Sequence, residues 1–317
     1  MAAEARQLVR VTEVGPRDGL QNEPERVPTE AKARLIRALL AARPDAIEAT
    51  SFVSPRWIPQ LGDASDLLAM LAGGMPEDVS VSALVPNEKG LDRLLEANAI
   101  AAAGSGGRPV IDTVALFTAA SETFSQKNTN ASIAESIDRM RPVARRAHDA
   151  GLRIRGYISC AFACPFEGVI DVDAVLGVAQ RLADDLAVDE LSVADTIGHA
   201  TPDDVARRVE RVLAATPANL HAGLNLHLHD TFGRAADCVI AALGAGVRSF
   251  DASIAGLGGC PYASTPESRA PGNIATETLV AAIEHVGYAT RIDRAALSVA
   301  HAVADRMLAE ARAGATP

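Results

Sequence analysis

The sequence is poor in the residues that staple a fold, anchor it in lipid or bind nucleic acid. Four cysteines, at positions 160, 164, 238 and 260, are scattered over 317 residues. A chain of this length buries enough core to stand without disulfides, so a reduced protein is expected. Cys160 and Cys164 lie close together, but no second pair at zinc spacing follows, so a structural zinc is not expected. Basic residues are in deficit: 30 Lys and Arg against 40 Asp and Glu give a net charge of −10. That argues against a surface built to neutralise nucleic-acid phosphates, and leaves room for a small anion held by one arginine. No apolar run reaches the length of a membrane span, about 18 residues. Few residues precede the first apolar run, LVRVTEV, so no signal or transit peptide is expected. The final GATP is not a peroxisomal address, and a cytoplasmic protein is the expectation. An early G-x-G-x-x-G turn is also missing, which counts against a doubly wound dinucleotide-binding sheet.

What is present is a regular alternation. Eight short runs, mostly of Val, Ile and Leu, read as strands: Leu8–Val14, Ala46–Thr50, Val79–Val85, Val110–Phe117, Ile154–Ser159, Glu190–Val193, Leu224–Leu228 and Ser249–Ser253. Little polar alternation within them suits parallel strands covered on both faces. Helical stretches lie between, among them Thr29–Ala42, Ser132–Ala150, Asp171–Leu186, Pro202–Ala214 and Thr276–Val286. Thr29, after a proline, reads as a helix cap; TPDD at 201–204 reads as a cap, a proline at the first helical position and two acids for the dipole. Eight strands alternating with helices predict an α/β chain folded as a (β/α)8 TIM barrel. The barrel is expected over about residues 8–287 of a single domain, with a C-terminal helical extension over 288–317.

The unusual polar residues gather at the carboxyl ends of these strands, where barrel active sites are built. Arg17 and Asp18 follow the first strand, Glu48 lies late in the second and Ser121 follows the fourth. Asp195 and Thr196 follow the sixth, and His227 and His229 end the seventh. The clearest chemistry is HLHD at 227–230. Alternate strand residues share a face, so both imidazoles project into the barrel mouth, either as a metal-chelating pair or as hydrogen-bonded structural histidines. In GPRDGLQNE, Asp18 can join a metal and Arg17 can face developing negative charge; the bland alternative is a surface ion pair in a turn. Carboxylate and imidazole donors suit Mg, Mn, Zn or Fe. Asn273, in GNIATE, is either a helix cap or a further oxygen donor. Glu48, inside an apolar strand, needs a cationic partner or a task. Cys260 sits in SIAGLGGCPYA, a pliable stretch, as a small buried hydrophobe or as an acid/base thiol on a closing loop.

These segments resemble the hydroxymethylglutaryl-CoA lyases, within the superfamily of metal-dependent barrel lyases and Claisen-type synthases. VTEVGPRDGLQNE, TSFVSPRWIPQLGD, RGYISCAFACPFEG, ADTIGHATP, HLHDTFG, SIAGLGGCPYA and GNIATE follow the family's blocks in order over roughly residues 8–290. The cysteine loop resembles the lyases' own signature more than the wider superfamily's. The resemblance implies that Asp18, His227, His229 and Asn273 bind a divalent metal, typically Mg or Mn, with no redox cofactor. It implies that Arg17 stabilises an enolate, that Glu48 orients Arg17, and that Cys260 transfers a proton with His227 also placed to take part. Gln21, Ser121, Ser192 and Thr196 would line the acyl or pantetheine path. The implied reaction is cleavage of 3-hydroxy-3-methylglutaryl-CoA to acetyl-CoA and acetoacetate. The implied partners are an acyl-CoA and further copies of the chain in a homo-oligomer, not nucleic acid or membrane.

The sequence also departs from the family pattern. STPESRAP at 264–271 lengthens the connection after the cysteine loop, and Thr118 and Ala194 stand where glycine is common. These changes leave open a lyase for another branched 3-hydroxyacyl-CoA, such as citramalyl-CoA or an isoprenoid-derived glutaryl-CoA. A condensing synthase is disfavoured because such enzymes generally carry further C-terminal domains. A non-catalytic barrel is disfavoured by the full set of Arg17, Asp18, Glu48, the two histidines and Cys260.

Overall fold

The structure is a computed structural model that describes residues 6–104, 106–259 and 272–314. Within them, eight parallel strands close into a barrel: β1 (Arg10–Glu13), β2 (Ala46–Ser51), β3 (Ser80–Leu84), β4 (Thr113–Ala119), β5 (Arg153–Ser159), β8 (Glu190–Asp195), β9 (Leu224–Leu228) and β10 (Ser249–Ala252). Their order around the barrel is β1-β10-β9-β8-β5-β4-β3-β2. Between β5 and β8 lies a short antiparallel pair, β6 (Ala163–Cys164) and β7 (Gly168–Val169), that strand-length reasoning does not anticipate. The eight barrel strands are the eight apolar runs read from the sequence.

Helices cover the barrel. They include α1 (Thr29–Ala41), α2 (Ala64–Leu71), α3 (Glu88–Gly104), α4 (Glu122–Thr129), α5 (Ile133–Asp149), α6 (Val172–Leu186), α7 (Pro202–Ala215), α8 (Ala218–His221), α9 (Ala235–Gly244), α10 (Thr276–His285) and α11 (Arg294–Gly314). Their apolar faces meet outward strand residues such as Ile47, Val114, Ile154, Leu191, Leu226 and Phe250 in one core. Each fully buried large apolar side chain contributes roughly 1.5–3 kcal/mol.

Caps set several helix starts. Ser132 and Glu135 form a reciprocal capping box on α5, and Thr201 accepts from Asp204 N at 3.3 Å to start α7. The cap expected of Thr29 does not form. Pro28 occupies the cap position, and the Thr29 hydroxyl donates to Asp63 Oδ2 at 2.7 Å instead. Asp63 is buried and pairs with the buried Lys32, so a polar cluster outcompetes a local cap. The tail helix α11 packs on α1, burying Leu297, Ala300, Ala304 and Met307 at helical spacing.

The barrel interior departs from the usual filling of branched apolar residues. Alternation along the strands points Arg155, Tyr157, Glu190, Ser192, Asn225, His227, Ser249 and Asp251 inward, and all are buried. Arg155 donates to Thr12 Oγ1 at 3.2 Å and Glu190 Oε2 at 3.4 Å, and pairs with Asp251. Buried charge survives only where each group finds an opposite charge or hydrogen bond, and these do.

Candidate active site

The site sits at the carboxyl end of the barrel. β1 runs into a tight π-helical turn, Gly15–Gly19, which carries Arg17 inward. Arg17 is 6% exposed, so its charge must be compensated. Glu48, from β2, accepts from Arg17 Nε at 2.7 Å and Nη2 at 2.6 Å, while Arg17 Nη1 donates to Asp18 Oδ1 at 2.6 Å. The need read for Glu48 in its apolar strand is met by this guanidinium. Tyr157 from β5 donates its hydroxyl to Glu48 Oε2 at 3.3 Å. The guanidinium carbons of Arg17 and Arg155 lie 5.8 Å and 4.9 Å from the Tyr157 ring centroid.

β9 delivers the histidines, and the two rings lie together as alternation requires. The Nε2 atoms of His227 and His229 are 3.2 Å apart, and Asp18 Oδ2 is 4.0 Å from His227 Nε2. Asp18, His227 and His229 each offer one donor atom within 4.8 Å of the others. Two imidazole nitrogens and a carboxylate oxygen form a donor set suited to a divalent cation. Asn273 lies at the same point: its Nδ2 donates to Asp18 Oδ2 at 2.9 Å and to the Leu257 carbonyl at 3.1 Å. Ala275, not Asn273, is the cap of α10, so the asparagine side chain is not spent on the helix.

Electrostatics follow from burial against pairing. Burial opposes the charge on Arg17, but Glu48 and Asp18 outweigh it and hold the guanidinium above its ordinary range. Burial also opposes ionised Asp18, yet Arg17 and both histidines hold that carboxyl well below the usual range. Burial pushes Glu48 up against the pull of Arg17. His229 is pushed down to about 3 by burial and by its neighbour His227, which keeps it a neutral donor.

The four residues assigned to the substrate path are spread more widely. Gln21 borders a small cavity of about 280 Å³ with Trp57 and Gln60. Ser121 is the cap of α4, accepting from Phe124 N at 3.0 Å and donating to Cys164 Sγ at 3.1 Å. Ser192 lies one interior layer below the histidines, accepting from Asn225 at 2.9 Å and donating to Asp251 at 3.4 Å. Thr196 accepts from Cys160 N at 2.7 Å. Asp195 accepts from His199 N and Ala200 N, fixing the turn after β8. Cys260 and the 264–271 segment lie outside the described residues.

The glycine-rich stretch leading to Cys260 is tied to the site. Gly258 has φ of +98°, and a Cβ there would stand 2.9 Å from Asn273 Nδ2 and 3.1 Å from the Gly19 Cα. Only glycine fits that approach. A larger cavity of about 710 Å³ is lined by Val53, Trp57, Val85, Phe117, Lys127 and Met140 among others. Phe117 also packs against the interior cluster of Leu84, Ala115 and Tyr157.

Residues 8–303 match the family described as HMGL-like. The chain belongs to the HMGL-like family. The hydroxymethylglutaryl-CoA lyase of Pseudomonas mevalonii is 44% identical over 92% of this chain and 90% of its own length. The 3-hydroxy-3-isohexenylglutaryl-CoA/hydroxymethylglutaryl-CoA lyase of Pseudomonas aeruginosa is 40% identical over 91% of this chain and 89% of its own. An HMG-CoA lyase from Acinetobacter baumannii, solved with coenzyme A and 3-methylmalate, matches with a TM-score of 0.83 and 36% identity, covering 95% of this chain and 92% of that one. For an HMGL-like chain, the sequence reading missed Tyr157, Arg155 and Asp251, which support the site from inside the barrel. Their signal was available: charged and phenolic residues at alternate positions within otherwise apolar strands. No helix among the described residues is long and apolar enough to cross a membrane.

Proposed function

We propose that this chain cleaves 3-hydroxy-3-methylglutaryl-CoA to acetyl-CoA and acetoacetate. The observation that carries the reading is the setting of Arg17: a buried guanidinium clamped between Glu48 and Asp18, beside a two-histidine, one-carboxylate donor set, in a chain of the HMGL-like family. In this reading Asp18, His227, His229 and Asn273 hold a divalent cation, Mg or Mn. The cation, when bound, supplies Lewis acidity to oxygens of the substrate. No step in the reaction changes oxidation state overall, so no redox cofactor is invoked.

The reaction removes the proton of the 3-hydroxyl, breaks the C2–C3 bond and leaves its electron pair on a thioester enolate. C3 becomes the ketone of acetoacetate, and protonation at C2 gives acetyl-CoA. Arg17 faces the enolate oxygen, where a fixed cation out of water is worth most. Glu48 holds two of its nitrogens, so the guanidinium needs no reorganisation as charge develops. Cys260 supplies the proton to C2, and Gln21 and Thr196 border the acyl-CoA path. Ser121 and Ser192 act indirectly, by holding the α4 start and the interior network. The reading includes a cytoplasmic homo-oligomer, for which light scattering of the purified protein is the check.

A longer branched acyl group is the second reading, favoured by the Pseudomonas aeruginosa relative whose name covers both substrates, and by the cavity that borders Phe117. Incubating purified protein with the methylglutaryl and longer glutaryl thioesters separates the two. Equimolar acetyl-CoA and acetoacetate, abolished by EDTA and restored by Mg or Mn, is the expected outcome. Cleavage of the longer thioester alone would replace the first reading with the second.

A further inference from the structure

Among the described residues, Asp251 is a barrel-interior carboxylate in hydrogen-bond contact with Nδ1 of His227, a histidine of the candidate cation site. It comes from β10 and is 2% exposed. Its two oxygens have different partners. Oδ1 takes the guanidinium of Arg155, and Oδ2 lies 3.1 Å from His227 Nδ1 with the Ser192 hydroxyl at 3.4 Å. Arg155 is itself fixed by Thr12 and Glu190, so the carboxylate is held from beneath.

We infer that Asp251 is a positioning residue for the cation site, holding His227 as the Nδ1–H tautomer so that the Nε2 lone pair faces His229 and Asp18. The inference rests on the cation-site reading above. A neutral imidazole carries one ring proton, and a carboxylate can only accept. Contact with Asp251 therefore places that proton on Nδ1 and leaves Nε2 bare. Nε2 is the atom 3.2 Å from His229 Nε2 and 4.0 Å from Asp18 Oδ2. With the proton on Nε2 instead, the ring would present a donor where the cation needs an electron pair.

Asp251→Asn tests this with almost no change of shape. Arg155 demands an acceptor, so the amide oxygen stays with the guanidinium and the amide NH2 turns to His227. It then donates to Nδ1 and drives the ring proton to Nε2, the wrong side. Metal-free protein is titrated with Mn²⁺, following the loss of the free-ion EPR signal, for wild type, Asp251→Asn and His229→Gln. The expected result is a Kd raised about 10- to 100-fold by Asp251→Asn. Wild-type affinity in Asp251→Asn, with His229→Gln weakened, overturns the role of Asp251 alone. No Mn²⁺ binding by wild type, or none lost in His229→Gln, overturns the cation-site reading itself. If Asp251→Asn fails to fold, long-range ¹H–¹⁵N spectra of the imidazoles in metal-free wild type decide. With the spectra recorded at a pH where the His227 ring is neutral, a protonated Nδ1 with a bare Nε2 is expected, and a protonated Nε2 with a bare Nδ1 overturns the inference. A purely structural Asp251 would move the melting temperature without moving either readout.

Discussion

At the scale of single residues, the site is a problem of buried charge solved by contact. Arg17 is enclosed by Glu48 and Asp18, and each needs the others. Arg17→Gln should lower kcat by about 10²- to 10³-fold, the usual loss when one preorganised donor to an oxyanion is removed, measured by steady-state acetyl-CoA release. The same change strands Glu48, which burial already pushes up, so it should take a proton in the variant. Much of this site was legible in the sequence. Arg17, Asp18, His227, His229 and Glu48 stand out because polar residues at the ends of apolar runs are costly without a purpose. Asp251 and Tyr157 show in the sequence only as polar residues at alternate positions of apolar strands; their roles depend on which strands face each other across the barrel. Asn273 could be read two ways from GNIATE, and the contact with Asp18 exists only once β10 and α10 are brought to β1.

At the scale of elements, buried polar ties fix the segments around the mouth. Lys32 of α1 donates to Asp63 at 2.9 Å and to the Gln60 carbonyl, holding the 59–63 segment. Lys32→Met should destabilise the protein by about 3–5 kcal/mol, because Asp63 is left buried with the Thr29 hydroxyl but without its opposite charge. Urea unfolding checks this, and Lys32→Met with Asp63→Leu should recover much of the loss. Glu13, at the end of β1, ties three segments: it accepts from Gly15 N at 2.8 Å, Ile254 N at 2.9 Å and the Thr276 hydroxyl at 2.6 Å. Burial pushes Glu13 from 4.5 to about 7 despite these bonds. Between those values the folded chain keeps a proton that the unfolded chain has released, so stability falls as pH rises towards about 7. Glu13→Gln should reduce that slope in melting temperatures from pH 5 to 8. Asp195, pushed by burial to about 6, leaves a remaining slope of the same sign. Element types were easy to read from apolar runs. The Thr29 cap was misread because a distant partner, Asp63, outbid a local hydrogen bond.

At the scale of the whole molecule, the barrel converts chain distance into proximity. Residues 17, 18, 48, 157, 227, 251 and 273, from strands and loops far apart in the chain, form one contact chain that passes through Asp18. Strand alternation made the closed barrel predictable, while the polar interior needed the register of β5, β8, β9 and β10. The tail helix α11 is part of this unit, since its buried residues cover α1. Ending the chain after Asp293 should expose that face and lower the melting temperature, with light scattering reporting association of the uncovered surface. The central claim is a C2–C3 cleavage through a thioester enolate. The most direct test is to run the reaction on 3-hydroxy-3-methylglutaryl-CoA in D2O with Mg or Mn and analyse acetyl-CoA by mass spectrometry. One deuterium in the acetyl methyl group is the result this account predicts. Acetyl-CoA without deuterium, or no acetyl-CoA from folded, metal-supplied protein, would contradict it.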